Sequence, residues 1–132
     1  MTTPDNQKTA PFFKFENLRI YHKSLTFTNA VLAIYDHTEN DGDRMVTQKL
    51  FEAASAITSN IVEGSSTHKT AFIGYLQQAK SNIRQCVTLC ALLLNRKVID
   101  EAQADDIRNE LIELTKMTGA LIVSLQGETS QL

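Results

Sequence analysis

Apolar residues recur along this chain with the spacing of amphipathic helices, in alternating steps of three and four residues. The pattern predicts four helical segments and is most regular in the third and fourth. The seam of the third segment is Phe72, Leu76, Ala79, Ile83, Cys86, Cys90 and Leu93. That of the fourth is Ala104, Ile107, Leu111, Leu114, Thr118, Leu121 and Leu125. Seams of this kind pack antiparallel helices at shallow angles.

The first two segments carry their own stripes. For the first helix we predict a core seam of Leu18, Tyr21, Leu25, Thr28, Leu32 and Tyr35, and for the second one of Val46, Leu50, Ala53, Ile57 and Ile61. A second apolar row runs beside the first seam, at Ile20, Phe27, Val31 and Ile34. Excess apolar surface on a small bundle favours self-association, with a thick monomer core as the alternative.

Polar residues between the segments predict the helix ends. We expect Asn17, Asp43 and Ser66 or Thr67 to cap the first three helices, and Asp100 with Gln103 to form a capping box for the fourth. The connections, among them a turn at Asn40-Asp41-Gly42, are then short. The chain is therefore predicted to be an all-α, antiparallel up-down-up-down four-helix bundle over residues 15-126, between disordered tails at 1-14 and 127-132.

Composition agrees with one helical domain. The chain has 132 residues, of which 42% are hydrophobic, and its two prolines both precede residue 12. We find neither a signal-peptide pattern nor an apolar run of membrane-spanning length, so a cytoplasmic location is expected. Cys86 and Cys90 lie on the apolar seam of the third helix, where buried thiols are expected rather than a metal site.

Motifs for catalysis are not found. The chain has no Glu-x-x-His pair of the kind that di-iron bundles use, no glycine-rich phosphate loop and no Gly-x-Ser-x-Gly elbow. The three histidines, His22, His37 and His68, are far apart in the sequence. We therefore expect no enzyme activity, no cofactor and no metal.

The second helix ends in a run of small residues, Ala53 to Gly64, which contains an amide and a carboxylate in its last turn. Gly64 is expected to end the helix in a left-handed conformation. Asn60 and Glu63, three residues apart, share a face. One interpretation makes this pair a substrate-binding cluster. The other, which we favour, assigns Asn60, Glu63 and Gly64 to packing and assembly through hydrogen bonds to a neighbouring helix or loop.

These residues resemble the small bundle proteins encoded in intervening sequences of bacterial 23S ribosomal RNA genes. The family's central signature, ending in Asn-Ile-Ala-Glu-Gly, is matched by Leu50, Ala53, Ala54, Ile57, Asn60, Ile61, Glu63 and Gly64. Its opening segment is matched by Phe15, Leu18 and Tyr21. The resemblance implies a homopentameric ring. It also implies kinship with accessory variability determinant proteins of diversity-generating retroelements, which bind nucleic acid and a reverse transcriptase.

Charge is unevenly distributed, although the net charge is only −2. Residues 44–97 hold seven cations and two carboxylates, whereas residues 98–132 hold two cations and seven carboxylates. One interpretation is a phosphate-binding surface formed by Lys69, Lys80, Arg84, Arg96 and Lys97. The other, which we favour for the asymmetry itself, is that basic helices meet the acidic fourth helix within a protomer or between protomers.

Together these features predict a non-catalytic oligomeric module, with RNA or DNA as the leading partner class. Phe51-Glu52 stands where the resembled family has an Arg-Arg pair, which weakens the expectation of RNA binding. The alternative is a scaffold or accessory subunit for a nucleic-acid enzyme such as a reverse transcriptase.

Overall fold

The computed structural model describes residues 12–130, with side chains through residue 127. A short 3-10 helix, Lys14–Asn17, leads into four α-helices: α1 (Arg19–Asp36), α2 (Asp41–Ser65), α3 (Lys69–Asn95) and α4 (Glu101–Ser130). Helices that are consecutive in the chain pack against one another, α1 closes against α4, and the described residues contain no strand. The predicted all-α four-helix bundle is confirmed.

Most of the predicted N-terminal tail lies outside the described residues, whereas residues 127–130 of the predicted C-terminal tail lie within α4. Residues 1–11 and 131–132 are not described, and the disorder expected for them stays a prediction. Within the described part, the backbone of α4 continues to Ser130.

The core seams of α3 and α4 agree closely with the periodicity. All seven predicted α3 residues are buried, from Phe72 to Leu93. On α4, Ile122 is buried while the predicted Leu121 is half-buried. On α2, Thr47 is buried where we expected Val46, which is half-buried. Each correction moves the seam by a single position, because a straight helix drifts slowly against a strict seven-residue repeat.

The predicted core seam of α1 is wrong. The buried residues are Ile20, Ser24, Phe27 and Val31, which include most of the row that we had read as secondary. Leu25 and Leu32 from the predicted seam are each 38% exposed. Two small hydroxyl residues, Ser24 and Thr38, complete the buried row because their hydroxyls donate to carbonyls of their own helix. The periodicity did not reveal this because Ser24, a polar residue, interrupts the apolar row between Ile20 and Phe27.

Helix starts are confirmed only for α4. There the Gln103 amide N–H donates to Asp100 Oδ1 (2.8 Å), and the Asp100 N–H donates to Gln103 Oε1 (3.0 Å). The cap of α2 is Asn40, whose Oδ1 accepts from the Asp43 N–H (3.0 Å). The expected turn at Asn40-Asp41-Gly42 is thus the first turn of α2, where the acidic residues favour the positive end of the helix dipole.

The other two predicted caps are also wrong. Leu18 precedes α1 and makes no side-chain cap bond, so Asn17 does not cap this helix. His68 caps α3, its Nδ1 accepting from the Ala71 N–H (3.3 Å). Ser66 and Thr67 instead end α2, because their hydroxyls donate to the carbonyls of Glu63 (2.8 Å) and Gly64 (2.7 Å).

Gly64 is buried inside α2 and does not end the helix. No glycine of the described residues has a positive φ angle. A Cβ at Gly64 would lie 2.6 Å from Phe72 Cδ1 and 2.8 Å from Tyr75 Cβ, both on α3. The residue is a glycine because α2 and α3 approach each other too closely for a methyl group.

We predict that Gly64→Ala destabilises the bundle by about 1–3 kcal/mol, because the added methyl group forces α2 away from α3. Urea unfolding of the two proteins measures this difference. Gly74→Ala is the matched control, since a Cβ at Gly74 meets no atom within 4 Å. That control should stabilise the protein by about 0.5–1 kcal/mol. Equal stability of wild type and Gly64→Ala would contradict the close approach.

Candidate nucleic-acid interface

The five basic residues predicted to bind nucleic acid lie along the whole length of α3. Lys69 is its first residue, and Arg96 and Lys97 follow its last. The helix has 27 residues and is therefore about 40 Å long. Lys80 and Arg84, one turn apart near the middle, are neighbours on one side of the helix, whereas Arg96 and Lys97 are consecutive residues after its end. We call Lys80 and Arg84 the basic pair.

Arg96 is committed to a contact within the protomer. Its Nε donates to Asp43 Oδ1, an ion pair that connects the end of α3 to the start of α2. Arg96 retains 48% of its side-chain exposure, whereas Asp43 retains 17%. The pairing reduces the positive charge that Arg96 offers to a ligand. The main role of Arg96 is therefore to stabilise the contact between α3 and α2.

Lys97 forms the C-terminal turn of α3. Its φ angle is +62°, and it is the one non-glycine residue of the described part in the left-handed region. The Val98 N–H donates to Leu93 O and the Lys97 N–H to Leu94 O, both at 3.0 Å. This is the Schellman motif, in which glycine is the preferred residue at the position that Lys97 holds.

Replacing Lys97 by Gly should therefore stabilise the protein, by about 1 kcal/mol, because the left-handed conformation costs glycine nothing. Thermal unfolding should show an increase in Tm of a few degrees. Lys97→Ala is the control, since it removes the charge and keeps the Cβ. If Lys97→Ala stabilised the protein as much as Lys97→Gly, removal of charge rather than backbone strain would be the cause.

The basic pair lies on the edge of α3 that faces α4. Val87 and Ala91, each seven residues beyond a member of the pair, line the small pocket between α3 and α4. Among the described side chains, those of Lys80 and Arg84 form no ion pair or hydrogen bond. Residues 64–99, which include all of α3, contain no Asp or Glu. The two cations are thus free to meet an anionic ligand.

Acidic α4 is paired with α1. Lys23 Nζ lies 3.1 Å from Glu110 Oε1 and 3.6 Å from Glu113 Oε2. The hydrogen bond to Glu110 raises the pKa of Lys23. Within the described side chains no ion pair joins α4 to α3. The interpretation that the basic helices meet acidic α4, within a protomer or between protomers, stays a prediction.

Asn60 connects α2 to the outer surface of α3. Its Nδ2 donates to Asn82 Oδ1 (2.8 Å), and Asn82 Nδ2 donates to Gln85 Oε1 (3.2 Å). We call these three residues the amide relay. Glu63 is exposed and takes no part in it. This contact fits the interpretation of Asn60 as a link to a neighbouring helix. The sequence analysis did not identify its partners Asn82 and Gln85. Their spacing of three residues, which places both on one face of α3, could have indicated them.

The two cysteines are buried, unpaired thiols of the α3 core, as predicted. Burial raises the pKa of the Cys86 thiol from 9.0 to about 12. Burial also raises the pKa of Cys90, against the opposing effect of the nearby Arg108 charge. Both are therefore protonated and unreactive in the folded protein at neutral pH.

Because folding raises the thiol pKa, the contribution of Cys86 to stability is complete below pH 9 and declines as the pH rises towards 12. The destabilisation caused by Cys86→Ala should therefore shrink between about pH 8 and about pH 11. Urea unfolding of both proteins across this range measures it. A difference that stays constant with pH would show that folding does not raise the pKa of the Cys86 thiol.

The described residues offer little else for chemistry. His22 Nε2 lies 2.7 Å from Glu16 O and His37 Nδ1 lies 2.8 Å from Ala33 O, so both rings form local backbone contacts. Residues 12–130 contain no group of three or more His, Cys, Asp or Glu side chains arranged to hold a metal ion. None of their helices combines the length and the apolar character that crossing a membrane requires.

These features define the class of small, antiparallel four-helix bundles. Comparison with known families identifies the group: the 23S rRNA-intervening sequence protein family matches residues 16–120, and the chain belongs to it.

A similar solved structure confirms the fold. It is a crystal structure of a protein with unknown function from the S23 ribosomal protein family of Bacteroides thetaiotaomicron, with a TM-score of 0.72 and 22% sequence identity. The match covers 78% of this chain and 97% of that one. A comparison with curated proteins finds no match.

Proposed function

We propose that this protein is a non-catalytic, oligomeric module that binds the backbone of nucleic acid through α3. The observation that carries the proposal is the basic pair, two unpaired cations one turn apart on a helix without carboxylates. Phosphate contacts of this type supply sequence-independent affinity. Lys69, at the start of α3, extends the positive surface along the same helix.

Self-assembly is supported by the apolar surface that α1 leaves exposed. Leu25 and Leu32 are each 38% exposed and belong to one stripe with the half-buried Tyr21. Because α1 contacts α2 and α4 but not α3, this stripe lies diagonally across the bundle from α3. An assembly that covers the α1 stripe leaves α3 accessible. The family resemblance implies five copies, which would multiply weak phosphate contacts through avidity.

A second candidate, a scaffold for a nucleic-acid enzyme, is favoured by the acidic surface of α4. Glu101, Asp105, Asp106 and Glu113 are exposed, and they repel a phosphate backbone. Such a surface suits a basic protein partner. The two candidates differ in their requirement for the basic pair, which the first needs and the second does not.

We predict that Lys80→Gln combined with Arg84→Gln weakens nucleic-acid binding and its dependence on salt. For duplex DNA, the slope of log K against log salt should become shallower by about 0.9 for each lost phosphate contact, or roughly 1.8 for the pair on one protomer. Fluorescence anisotropy over a salt series, with native mass recorded on the same samples, measures both quantities.

The matched control is Arg19→Gln with Lys116→Gln, which removes one exposed cation from α1 and one from α4. It should leave the slope nearly unchanged. If the α3 variant bound like the wild type with its oligomer intact, the proposed interface would be wrong and the scaffold would be the better candidate.

A further inference from the structure

The outward side of α3 next to the basic pair is a continuous surface of uncharged hydrogen-bonding groups. We call it the amide face. Its residues share one side of the helix and are Gly74, the adjacent Gln77 and Gln78, Ser81, Gln85 and Thr88. All are exposed except Ser81, which is half-buried. The face is about 21 Å long, from the rise of an α-helix. Its side chains can donate and accept hydrogen bonds, and none of them is charged. Lys49 and Glu52 of α2 border it beside Gln85 and Thr88.

Gly74 has no explanation within the protomer. A glycine in the interior of an exposed helix costs stability relative to alanine, and a Cβ at Gly74 would meet no atom within 4 Å. Gly64, by contrast, is required because α3 lies directly against it. Gly119 and Gly127 of α4 have the same open space, and Gly74 is the one of the three that lies on the amide face. There the missing Cβ leaves room for a ligand to approach the α3 backbone closely.

The amide relay orients one member of the face. Gln85 Oε1 accepts from Asn82 Nδ2, and Asn82 is itself bonded to Asn60 on α2. The Gln85 carbonyl is thus occupied, and its Nε2 group remains to donate outwards. Among the described side chains, those of Gln77 and Gln78 form no hydrogen bond. The surface therefore combines one oriented donor with two adaptable amides.

The chemistry of the surface selects the nucleic acid that fits. Its side chains are uncharged amides and hydroxyls, which can donate to and accept from 2′-hydroxyl groups. The wide, shallow minor groove of A-form RNA displays these hydroxyls, and DNA lacks them. No member of the amide face is aromatic, so the face lacks the stacking platform that single strands require.

We propose that the amide face docks on the minor groove of double-stranded RNA. Gln77, Ser81 and Gln85 contact 2′-hydroxyls, Gly74 permits the close approach, and the basic pair contacts phosphates along the edge facing α4. This inference rests on the proposed function and adds to it the preferred partner, an A-form RNA duplex without sequence preference.

The test compares two sets of variants on three probes. The probes are an RNA duplex of about 20 base pairs, a DNA duplex of the same sequence and the corresponding single-stranded RNA. One set is Gln77→Ala/Ser81→Ala/Gln85→Ala, with Asn109→Ala on α4 as its control. The other is Gly74→Ala, with Gly127→Ala as its control, because both glycines have open space for a Cβ.

We expect the wild-type oligomer to prefer the RNA duplex. The triple variant should lose about tenfold or more in affinity for this duplex, with an unchanged salt slope and unchanged DNA binding. Gly74→Ala should raise Tm and yet weaken binding to the RNA duplex. Gly127→Ala and Asn109→Ala should leave the affinity unchanged.

Two results would overturn the inference alone. One is salt-dependent binding through the basic pair with no loss in the triple variant. The other is a change of native mass in the triple variant, which would assign the amide face to assembly. If no duplex bound even at low salt, the proposed function would fail as well, so the two failures are distinguishable.

Discussion

The close approach of α2 to α3 is the constraint on which the rest of this structure depends. α2 and α3 form the most extensive helix contact of the described bundle, and α2 presents to it the small residues Ala53 and Gly64. A gap that cannot hold even one methyl group at Gly64 leaves little freedom for α3 to rotate or slide. The rotation of α3 fixes which residues face the core and which face solvent. The surface that we assign to nucleic acid is therefore a consequence of packing on the other side of the same helix.

The bundle separates its surfaces by position. α3 carries the basic pair and uncharged amides, and two carboxylates of α4 pair with Lys23 of α1. Apolar residues are exposed on α1 at Leu25 and Leu32, and also on α3 at Leu92 and on α4 at Val123. α1 and α3 lie diagonally across the bundle and do not contact each other. An assembly can therefore cover α1 while α3 stays exposed to solvent. The amide relay links the α2–α3 contact to the outer surface of α3. Asn60 on α2 donates to Asn82, and Asn82 donates to Gln85 on the outside of α3.

The sequence predicted the fold class and the α3 seam because that seam is purely apolar and regular. It failed on α1, where Ser24 and Thr38 are buried and satisfy their hydroxyls on their own helix. A pattern of apolar residues cannot register a buried serine. The sequence also led us to place Gly64 at a helix end. A glycine can serve either a left-handed turn or a close helix contact, and the sequence alone does not distinguish the two roles. The charge count did not show that the five basic residues are spread along α3. That became clear only from the bounds and length of the helix.

Lysine labelling of the oligomer, with and without an RNA duplex, tests the central claim that α3 is the nucleic-acid surface. Acylation rates at individual lysines are read by mass spectrometry at low salt. We expect the duplex to slow the acylation of Lys80 and to leave the acylation rate of Lys116, on α4, unchanged. Slower labelling of Lys116 with Lys80 unaffected would contradict it and would place the ligand on another face of the bundle.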